Sequence, residues 1–417
     1  MKKFFSKIFI IFFTLLFVIT NFSLCDDIDN NEIIDVDSEI ISLNSSKSNI
    51  KPPDINSRSC VVIDRNTNTI LYGKNESQKR KMASTTKIMT ATIIIENCNL
   101  DETIEVSKKA AGTGGSRLGL KTGDKITIKD LLYGLMLRSG NDAAVALAEY
   151  AGGSIEGFAE LMNKKASELG LINTHFETPH GLDSEKHYTT AYELAVLSNY
   201  ALNNTIFVQI VGTKNYTITI NGHPKQLNNT NELLGNLNGV YGIKTGFTNG
   251  ANRCLVTACK RNDMDIICVV LGADTKKFRT YDSIKLINYI FDNFEPVNIK
   301  KLIDNEFKNW KDENLKKFTI NKGASQNVNL KLEYIDKDII PIRKDLIETI
   351  NIYIECPLYF EAPLMSNYNI GNIDVSVLGY LDLNYRIINV NEIKHKTWNI
   401  YLYNFFKNYS SILNNIF

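Results

Sequence analysis

The chain has 417 residues, 44% of them hydrophobic, so it can bury a large core and is long enough for more than one domain. Its 47 basic and 46 acidic residues leave a formal net charge of +1, which argues against nucleic acid as a partner. Its seven cysteines are scattered along the chain without paired spacings, which argues against a disulfide framework.

The N-terminal segment predicts an exported protein. Lys2, Lys3 and Lys7 precede an apolar stretch at residues 8–20 that is too short to span a bilayer comfortably. This is the pattern of a secretory signal peptide, which we place at residues 1–25. Residues 26–51 are polar, acidic and rich in serine and asparagine, so we expect a flexible tether there.

In the segment at residues 83–95, a short stretch of small polar residues is followed by a strongly apolar stretch. Ser84 and Lys87 are three residues apart, and on a helix this spacing lets the hydroxyl and the amine touch. Residues 88–95 are apolar almost all round, which predicts a buried helix with Ser84 at its N-terminal end. Taken alone, such a pair is more often a capping serine with a solvated lysine than a nucleophile with its base.

The signals around this segment predict an α+β domain over residues 52–294. Two β-rich runs at residues 59–64 and 69–72 form a hairpin pattern, and four or five helices follow as far as residue 203. Capping-box pairs, Thr127 with Asp130 and Thr190 with Glu193, begin two of these helices. Period-two segments then lead to a closing helix at 281–294. We expect an antiparallel sheet flanked by helices, plus a helical lobe, with a cleft between them.

The remainder of the chain has a different character. Residues 295–396 are lysine-rich with alternating apolar residues, which predicts a small all-β sandwich domain that serves as a spacer or docking module. Residues 397–417 place aromatic and aliphatic residues opposite a polar stripe at helical spacing. This amphipathic helix could pack on the sandwich, but its many aromatic residues favour association with a membrane surface.

Histidine spacing gives little support for a metal. His180, Asp183 and His187 could be imagined as zinc ligands, but the chain has no His-Glu-x-x-His motif. The glycine-rich residues 112–116 also lack a phosphate-binding pattern, so we expect neither metal nor cofactor. His180 is explained equally well as a histidine that holds a loop, and we do not count it as catalytic.

Three short motifs occur in order along the chain. They are Ser84-x-x-Lys87, Ser139-Gly140-Asn141 and Lys244-Thr245-Gly246, the last at the end of a predicted strand. Together they resemble the active-site motifs of penicillin-binding proteins and class A β-lactamases. An earlier Lys121-Thr122-Gly123 precedes the second motif and lies in a Gly-Asp turn, so we interpret it as structural.

The sequences that flank the motifs narrow this resemblance. Residues 138–143, 173–176, 179–183 and 242–248 look like those of low-molecular-mass penicillin-binding proteins that are serine D-alanyl-D-alanine carboxypeptidases. The resemblance covers about residues 57–294 and reappears in the later domain at Phe360-Glu361-Ala362-Pro363. It implies an exported enzyme at the outer face of the cytoplasmic membrane or in the cell wall. Its substrate would be the peptidoglycan stem pentapeptide, and β-lactam antibiotics would be covalent inhibitors.

The resemblance also implies a role for each motif residue. Ser84 would attack the carbonyl between the two terminal D-alanines, and a neutral Lys87 would take its proton, because the helix N-terminus and nearby Lys244 disfavour a second charge. Ser139 would pass a proton to the leaving amine, and Asn141 would orient Lys87. The residues implied in substrate binding are Lys244, Thr245, Gly246, Phe247 and Arg279. The backbone N–H groups of Ser84 and Phe247 would form the oxyanion hole.

Two other functions remain open at this point. A β-lactamase would also be acylated at Ser84, but a class A enzyme needs a glutamate for rapid deacylation, and the nearest lookalike, Glu232 after Asn231, lies close before Lys244. A noncatalytic cell-wall binding protein could keep the same fold. The intact set of motif residues argues against this second alternative.

Overall fold

The computed structural model describes residues 51–333 and 338–414, with side chains described as far as residue 410. The expected signal peptide and all but the last residue of the expected tether lie outside the described residues. The chain divides into two compact units, with the boundary between Asn293 and Phe294, and each unit is described separately below.

The first unit is built around one antiparallel five-stranded sheet, as predicted. Its strands are β1 (Ser59–Asp64), β2 (Ile70–Lys74), β7 (Val240–Thr248), β8 (Asn252–Arg261) and β9 (Met264–Ala273), in the order β2-β1-β9-β8-β7. The N-terminal hairpin therefore joins the sheet through the last strand of the unit, with Val62 opposite Cys268. The apolar residues of β1, β8 and β9 are buried, which is why these strands form apolar runs in the sequence.

A lobe of helices occupies the middle of the first unit. Its central helix α1 (Lys87–Asn97) is buried from Lys87 to Ile94, as its apolar sequence predicted. The helices that follow are α2 (Lys108–Ala111), α3 (Ile128–Leu137), α4 (Asn141–Gly152), α5 (Ile155–Glu168), α6 (Ala191–Ala201) and α7 (Thr205–Val211). The side chains of Thr127 and Thr190 accept hydrogen bonds from the backbone N–H of Asp130 and Glu193, so both threonines are N-caps as predicted. The carboxylates of Asp130 and Glu193 accept instead from the backbone N–H groups of Thr219 and Asn173.

Smaller elements complete the first unit. Strands β3 (Thr103–Glu105) and β4 (Lys125–Thr127) pair, and β5 (Asn215–Ile220) and β6 (His223–Asn228) form a hairpin. The turn of that hairpin is Asn221-Gly222, both with positive φ, which is the chemistry that a two-residue hairpin requires. Helix α8 (Lys276–Asn293) closes the unit and packs on β8 and β9.

The second unit is β-rich, as predicted, and contains one element that the sequence reading missed. Its strands are β10 (Phe294–Asn298), β11 (Thr319–Asn321), β12 (Leu330–Leu332), β13 (Ile339–Arg343), β14 (Asn351–Glu355), β15 (Tyr359–Glu361), β16 (Tyr368–Val377) and β17 (Leu381–Asn389). Four of them form a sheet in the order β12-β17-β16-β14. The unpredicted element is helix α9 (Ile299–Asn314), which buries only Ile299, Ile303 and Phe307. Because only these three residues are buried and many lysines surround them, the sequence shows no clear helical periodicity here.

The last described element is helix α10 (Trp398–Asn414). It carries aromatic side chains that are largely exposed, namely Trp398, Tyr401, Tyr403, Phe405, Phe406 and Tyr409. Within the described part of the chain, no single helix combines the length and hydropathy needed to cross a membrane.

Candidate active site

Ser84 lies in a one-turn 3-10 helix, Ala83–Thr86, that leads directly into α1. Its hydroxyl oxygen is 2.7 Å from Nζ of Lys87, the first residue of the helix. Lys87 is fully buried and Ser84 is 5% exposed. The contact expected from the spacing of three residues is therefore present, and Ser84 is neither an N-cap nor a neighbour of a solvated lysine.

Two further groups surround the amine of Lys87. Its Nζ lies 2.7 Å from Oδ1 of Asn141 and 2.9 Å from the backbone carbonyl oxygen of His180. Asn141 is the first residue of α4, and its own Nδ2 donates to the carbonyl oxygen of Gly114 at 2.8 Å. The second motif thus reaches Lys87 through Asn141, whose amide orientation is fixed by Gly114.

The loop between α3 and α4 has an unusual backbone. Ser139 is fully buried and has φ of 61°, a left-handed conformation that is uncommon for a residue other than glycine. Next to it, the carboxylate of Asp142 accepts hydrogen bonds from the backbone N–H groups of Leu118, Gly119, Leu120 and Ala143 at 2.8 to 3.0 Å. Asp142 therefore holds residues 118–120 against the start of α4.

The third motif lies on β7, beside the turn that carries Ser84. A Cβ atom built on Gly246 would lie 3.1 Å from the backbone nitrogen of Ser84, so a side chain here would push the Ser84 turn away from β7 by a few tenths of an ångström. Lys244 and Thr245 are almost completely buried. The Thr245 hydroxyl lies 2.8 Å from the hydroxyl of Thr230. The ring of Phe247 stacks on the guanidinium of Arg253, with 3.7 Å between the ring centroid and Cζ.

Arg279, expected to read the substrate carboxylate, has a protein partner. It lies in the first turns of α8, and its Nη2 donates to Oε1 of Glu232. The hydroxyl of Thr280 donates to the same oxygen at 2.6 Å. Burial opposes ionisation of Glu232, but the Arg279 guanidinium and the Thr280 hydroxyl together hold its pKa below the usual value.

The two histidines of the loop at residues 177–187 hold that loop against the turn of Ser84. Nε2 of His187 is 2.8 Å from the hydroxyl of Thr86, and its Nδ1 accepts from the backbone N–H of Glu177 at 3.0 Å. The backbone N–H of Leu182 donates to Nδ1 of His180. Burial lowers the pKa of His180 to about 3 and that of His187 to about 4.

These contacts also explain the residues once considered for zinc. Asp183 accepts from the Thr248 hydroxyl at 2.7 Å and from the Gly250 backbone N–H at 2.8 Å, so it ties the loop to the end of β7. Where the structure describes the chain, no group of three or more His, Cys, Asp and Glu side chains is arranged to hold a metal ion.

Several site residues escaped the sequence analysis. The carbonyl oxygens of Gly114 and His180 act through the backbone, and no side-chain pattern reveals a backbone contact. Asp142 directly follows the second motif, and this adjacency was the one available signal for its role. Glu232 was considered only as a β-lactamase base, because its distance in sequence from Arg279 hides their pairing.

A protein-family model and a curated relative both match this chain. Residues 46–275 match the model of the peptidase S11 family, described as D-alanyl-D-alanine carboxypeptidase. The chain is 40% identical over 244 residues to the D-alanyl-D-alanine carboxypeptidase DacF of Bacillus subtilis. That alignment covers 57% of this chain and 63% of the Bacillus protein, so this chain matches less than two thirds of that relative's length.

Solved structures support the same assignment. The crystal structure of the Streptomyces K15 DD-transpeptidase superposes with a TM-score of 0.55 at 35% identity, covering 57% of this chain and 98% of the Streptomyces chain. The D-alanyl-D-alanine carboxypeptidase DacD of Francisella tularensis superposes with a TM-score of 0.65 over 84% of this chain and 97% of that one, and at 24% identity it supports the fold alone. The match of the family model over more than half of the sequence shows that the chain belongs to the peptidase S11 family of D-alanyl-D-alanine carboxypeptidases.

Proposed function

We propose that the protein is a serine D-alanyl-D-alanine carboxypeptidase that removes the terminal D-alanine from peptidoglycan stem pentapeptides through an acyl-enzyme on Ser84. One observation carries the proposal, which is the position of the buried Lys87 amine between the Ser84 hydroxyl and two carbonyl oxygens. Membership of the S11 family and the three ordered motifs give it further support.

The three oxygens around Lys87 can serve an ammonium group, which would donate to all of them, or a neutral amine, and the proposed mechanism uses the neutral form. A neutral amine has two N–H donors and one lone pair, whereas an ammonium group has three donors and no acceptor. The oxygens of Asn141 and His180 can only accept, so they engage the two N–H groups. The Ser84 hydroxyl, which can donate, then faces the lone pair. In this arrangement Lys87 is ready to receive the proton of Ser84.

The first half of the reaction follows from this arrangement. The Ser84 oxygen bonds to the carbonyl carbon between the two D-alanines, and its proton moves to Nζ of Lys87. The backbone N–H groups of Ser84 and Phe247 stabilise the resulting oxyanion, and the residue before Phe247, Gly246, packs against the Ser84 turn. When the carbon–nitrogen bond breaks, the proton held by Lys87 passes through Ser139 to the departing amine, which restores the neutral lysine and releases free D-alanine.

The second half regenerates the enzyme. A water molecule attacks the acyl carbon, the ester bond to Ser84 breaks, and the shortened peptide leaves with a new carboxylate while the hydroxyl recovers its proton. Lys244 and Thr245 bind the terminal carboxylate of the incoming substrate, since an ammonium and a hydroxyl are suitable donors for it. Gly246 and Arg279 are further residues that we assign to substrate binding.

The contacts of Glu232 favour a peptidase over a class A β-lactamase. A deacylation base must activate a water molecule beside the acyl group, but one oxygen of Glu232 accepts from both Arg279 and Thr280. An ionised carboxylate committed to a guanidinium is a poor base. We therefore expect the penicilloyl enzyme to clear slowly. A noncatalytic role would not require Lys87 to be buried against Ser84.

We place the enzyme outside the cytoplasm, at the membrane surface or in the cell wall. The basic and apolar N-terminal residues support export, with residues 1–25 as signal peptide and 26–51 as tether. The remaining domains are a catalytic domain at 52–294, a β-domain at 295–396 and a membrane-associating helix at 397–417. Exposed aromatic residues on α10, such as Trp398 at 74% and Phe405 at 64%, support an interfacial location for that helix.

The test is release of free D-alanine from a pentapeptide that ends in D-alanyl-D-alanine. Wild type should release D-alanine, penicillin should stop the release, and Ser84→Ala should be inactive. No release by wild type, or undiminished release by Ser84→Ala, would contradict the proposal. A penicillin that is rapidly turned over would instead indicate a β-lactamase.

A further inference from the structure

The segment at residues 229–234, which we call the back segment, connects β6 to β7 and contacts two of the three motif regions. The hydroxyl of Thr230 lies 2.8 Å from that of Thr245. The backbone N–H of Thr230 donates to the carbonyl oxygen of Leu137 at 3.1 Å, two residues before Ser139. Leu233 is fully buried and fixes the segment in the core. The back segment thus supports both Thr245 and the start of the Ser139 motif.

Glu232 ties this segment to helix α8. Its Oε1 accepts from Nη2 of Arg279 and from the hydroxyl of Thr280. The side chain of Arg279 is 5% exposed and that of Glu232 is 14% exposed, so water competes little for this pair. Glu232 is two residues from Thr230 in the chain, and the Thr230 hydroxyl contacts that of Thr245. The Glu232–Arg279 pair therefore connects Arg279 with Thr245, the two residues that we expect to bind the substrate carboxylate.

Two donors near this link lack acceptors. Within the described residues, Nε of Arg279 and Nδ2 of Asn231 are buried and have no hydrogen-bond partner. A buried donor without an acceptor is destabilising, and a carboxylate is the group that satisfies such donors most strongly. Oε2 of Glu232 is also buried without a partner among the described residues, so Glu232 engages Arg279 through one oxygen only and leaves Nε of the guanidinium without an acceptor.

We infer that Glu232 is a positioning residue for carboxylate recognition. It holds the guanidinium of Arg279 and the back segment in one arrangement, so that Arg279 and Thr245 form a preset receptor for the terminal carboxylate of the substrate. The inference rests on the proposed function. Because Glu232 also neutralises the charge of Arg279, recognition by this arginine depends on the direction of its remaining N–H groups, and Glu232 sets that direction.

The experiment compares acylation by benzylpenicillin with acylation by its methyl ester, which lacks the free carboxylate. The measured quantity is the ratio of the two second-order acylation rate constants. Glu232→Gln keeps the shape and an acceptor oxygen but removes the fixed charge. It should lower the ratio about tenfold, or about 1.4 kcal/mol of lost discrimination, because a neutral amide holds the Arg279 guanidinium less firmly than a carboxylate does. A raised ratio, expected if Glu232 only masks the charge of Arg279, would overturn the inference. Acylation by the ester should stay within about twofold of wild type, because the reacting groups are untouched.

Asp265→Asn is the matched control. Asp265 accepts from the Arg65 guanidinium at 2.9 Å and from the Tyr241 hydroxyl at 2.7 Å, the same pair of donor types as Glu232 has. Asp265 pairs with Lys260 on β8, and Thr245 pairs with Leu255 on the same strand. The two positions on β8 are five residues apart, so Asp265 lies about 16 Å along the strand from the level of Thr245. This variant should lose stability without changing the ratio.

Each outcome is decisive. An unchanged ratio in Glu232→Gln, or equal slowing with both compounds, would overturn the inference by showing a purely structural role. If Glu232→Gln does not fold, Thr280→Val removes one of the two donors to Glu232 and should lower the ratio about threefold; an unchanged ratio would overturn the inference. A wild type that is not acylated and releases no D-alanine contradicts the proposed function and this inference together. Normal acylation with an unchanged ratio contradicts the inference alone.

Discussion

The side-chain oxygen of Asn141 lies 2.7 Å from the amine nitrogen of Lys87. Because the Asn141 amide nitrogen donates to the Gly114 carbonyl, the oxygen must face the lysine. Asn141 thereby accepts one N–H of Lys87, and in the proposed mechanism, where Lys87 is neutral, the lone pair of the amine is left for the Ser84 hydroxyl.

Asn141→Asp should inactivate the enzyme without unfolding it. A carboxylate beside Lys87 stabilises the ammonium form, and an ammonium cannot take the proton of Ser84. We expect acylation by penicillin to slow by about 100-fold or more, the size typical of a lost general base. The measurement is the acylation rate at neutral pH. Asn99→Asp, the same change at an exposed position, should leave the rate unchanged, and a fully active Asn141→Asp would contradict a neutral Lys87.

Asp142→Asn should weaken both stability and activity. The carboxylate of Asp142 accepts four backbone N–H groups, and an amide has only one oxygen to replace its two. Loss of one buried acceptor costs about 1–3 kcal/mol of the free energy of unfolding. Denaturant unfolding measures this loss, and the acylation rate should fall because the Gly114 contact of Asn141 is loosened. Asp101→Asn, at an exposed site, is the control, and equal behaviour of the two variants would contradict this anchoring role.

The buried histidines predict acid sensitivity of the first unit. His180 and His187 have pKa values of about 3 and about 4 in the folded protein, compared with an ordinary 6.5. Their contribution to stability is therefore complete above pH 6.5 and is lost as the pH falls toward 4 and then 3, because the unfolded chain binds protons that the folded chain does not. Between pH 6.5 and pH 5 each histidine should remove about 2 kcal/mol from the free energy of unfolding.

His187→Asn isolates one of these two contributions. Asparagine can keep the acceptor for the Glu177 backbone N–H but does not titrate. We expect the stability difference between pH 7 and pH 5 to be about 2 kcal/mol smaller in the variant than in wild type. The pKa of about 4 for His187 already includes the opposing effects of Glu177 and Asp183, so the comparison measures the net contribution of this histidine. Identical pH dependence would contradict burial of a neutral imidazole.

Deleting residues 398–417 should release the protein from membranes. The exposed aromatic residues of α10 have a large apolar area to insert at a bilayer surface, and helix deletion removes all of it. We expect the truncated protein in the soluble fraction after cell lysis, with an unchanged rate of acylation by penicillin. Membrane association that persists in the truncated protein would contradict the interfacial role of the helix.

The sequence predicted most of the first unit, because its elements carry strong local signals. Thr127 and Thr190 are the N-caps of two helices, and the Asn221-Gly222 turn forms the expected hairpin. Helix α9 escaped prediction, because the tertiary contacts that bury Ile299, Ile303 and Phe307 are invisible among lysines. The β-rich character of the second unit was still evident from alternation.

The site could be predicted where chemistry lies in side chains close together in the chain. Ser84 and Lys87 are such a pair, and their contact follows from helical spacing. The link between Glu232 and Arg279 spans 47 residues, and the contact of Lys87 with the His180 carbonyl uses a backbone atom. Neither has a local signal, so both required the folded structure.

Locating the penicillin adduct in the chain is the most direct test of acylation at Ser84. The purified protein is incubated with benzylpenicillin, digested, and analysed by mass spectrometry. We expect one penicilloyl group on the hydroxyl of Ser84 and no labelling of the Ser84→Ala variant. Labelling of any other residue, or an unlabelled wild type, would contradict the claim that Ser84 is the nucleophile.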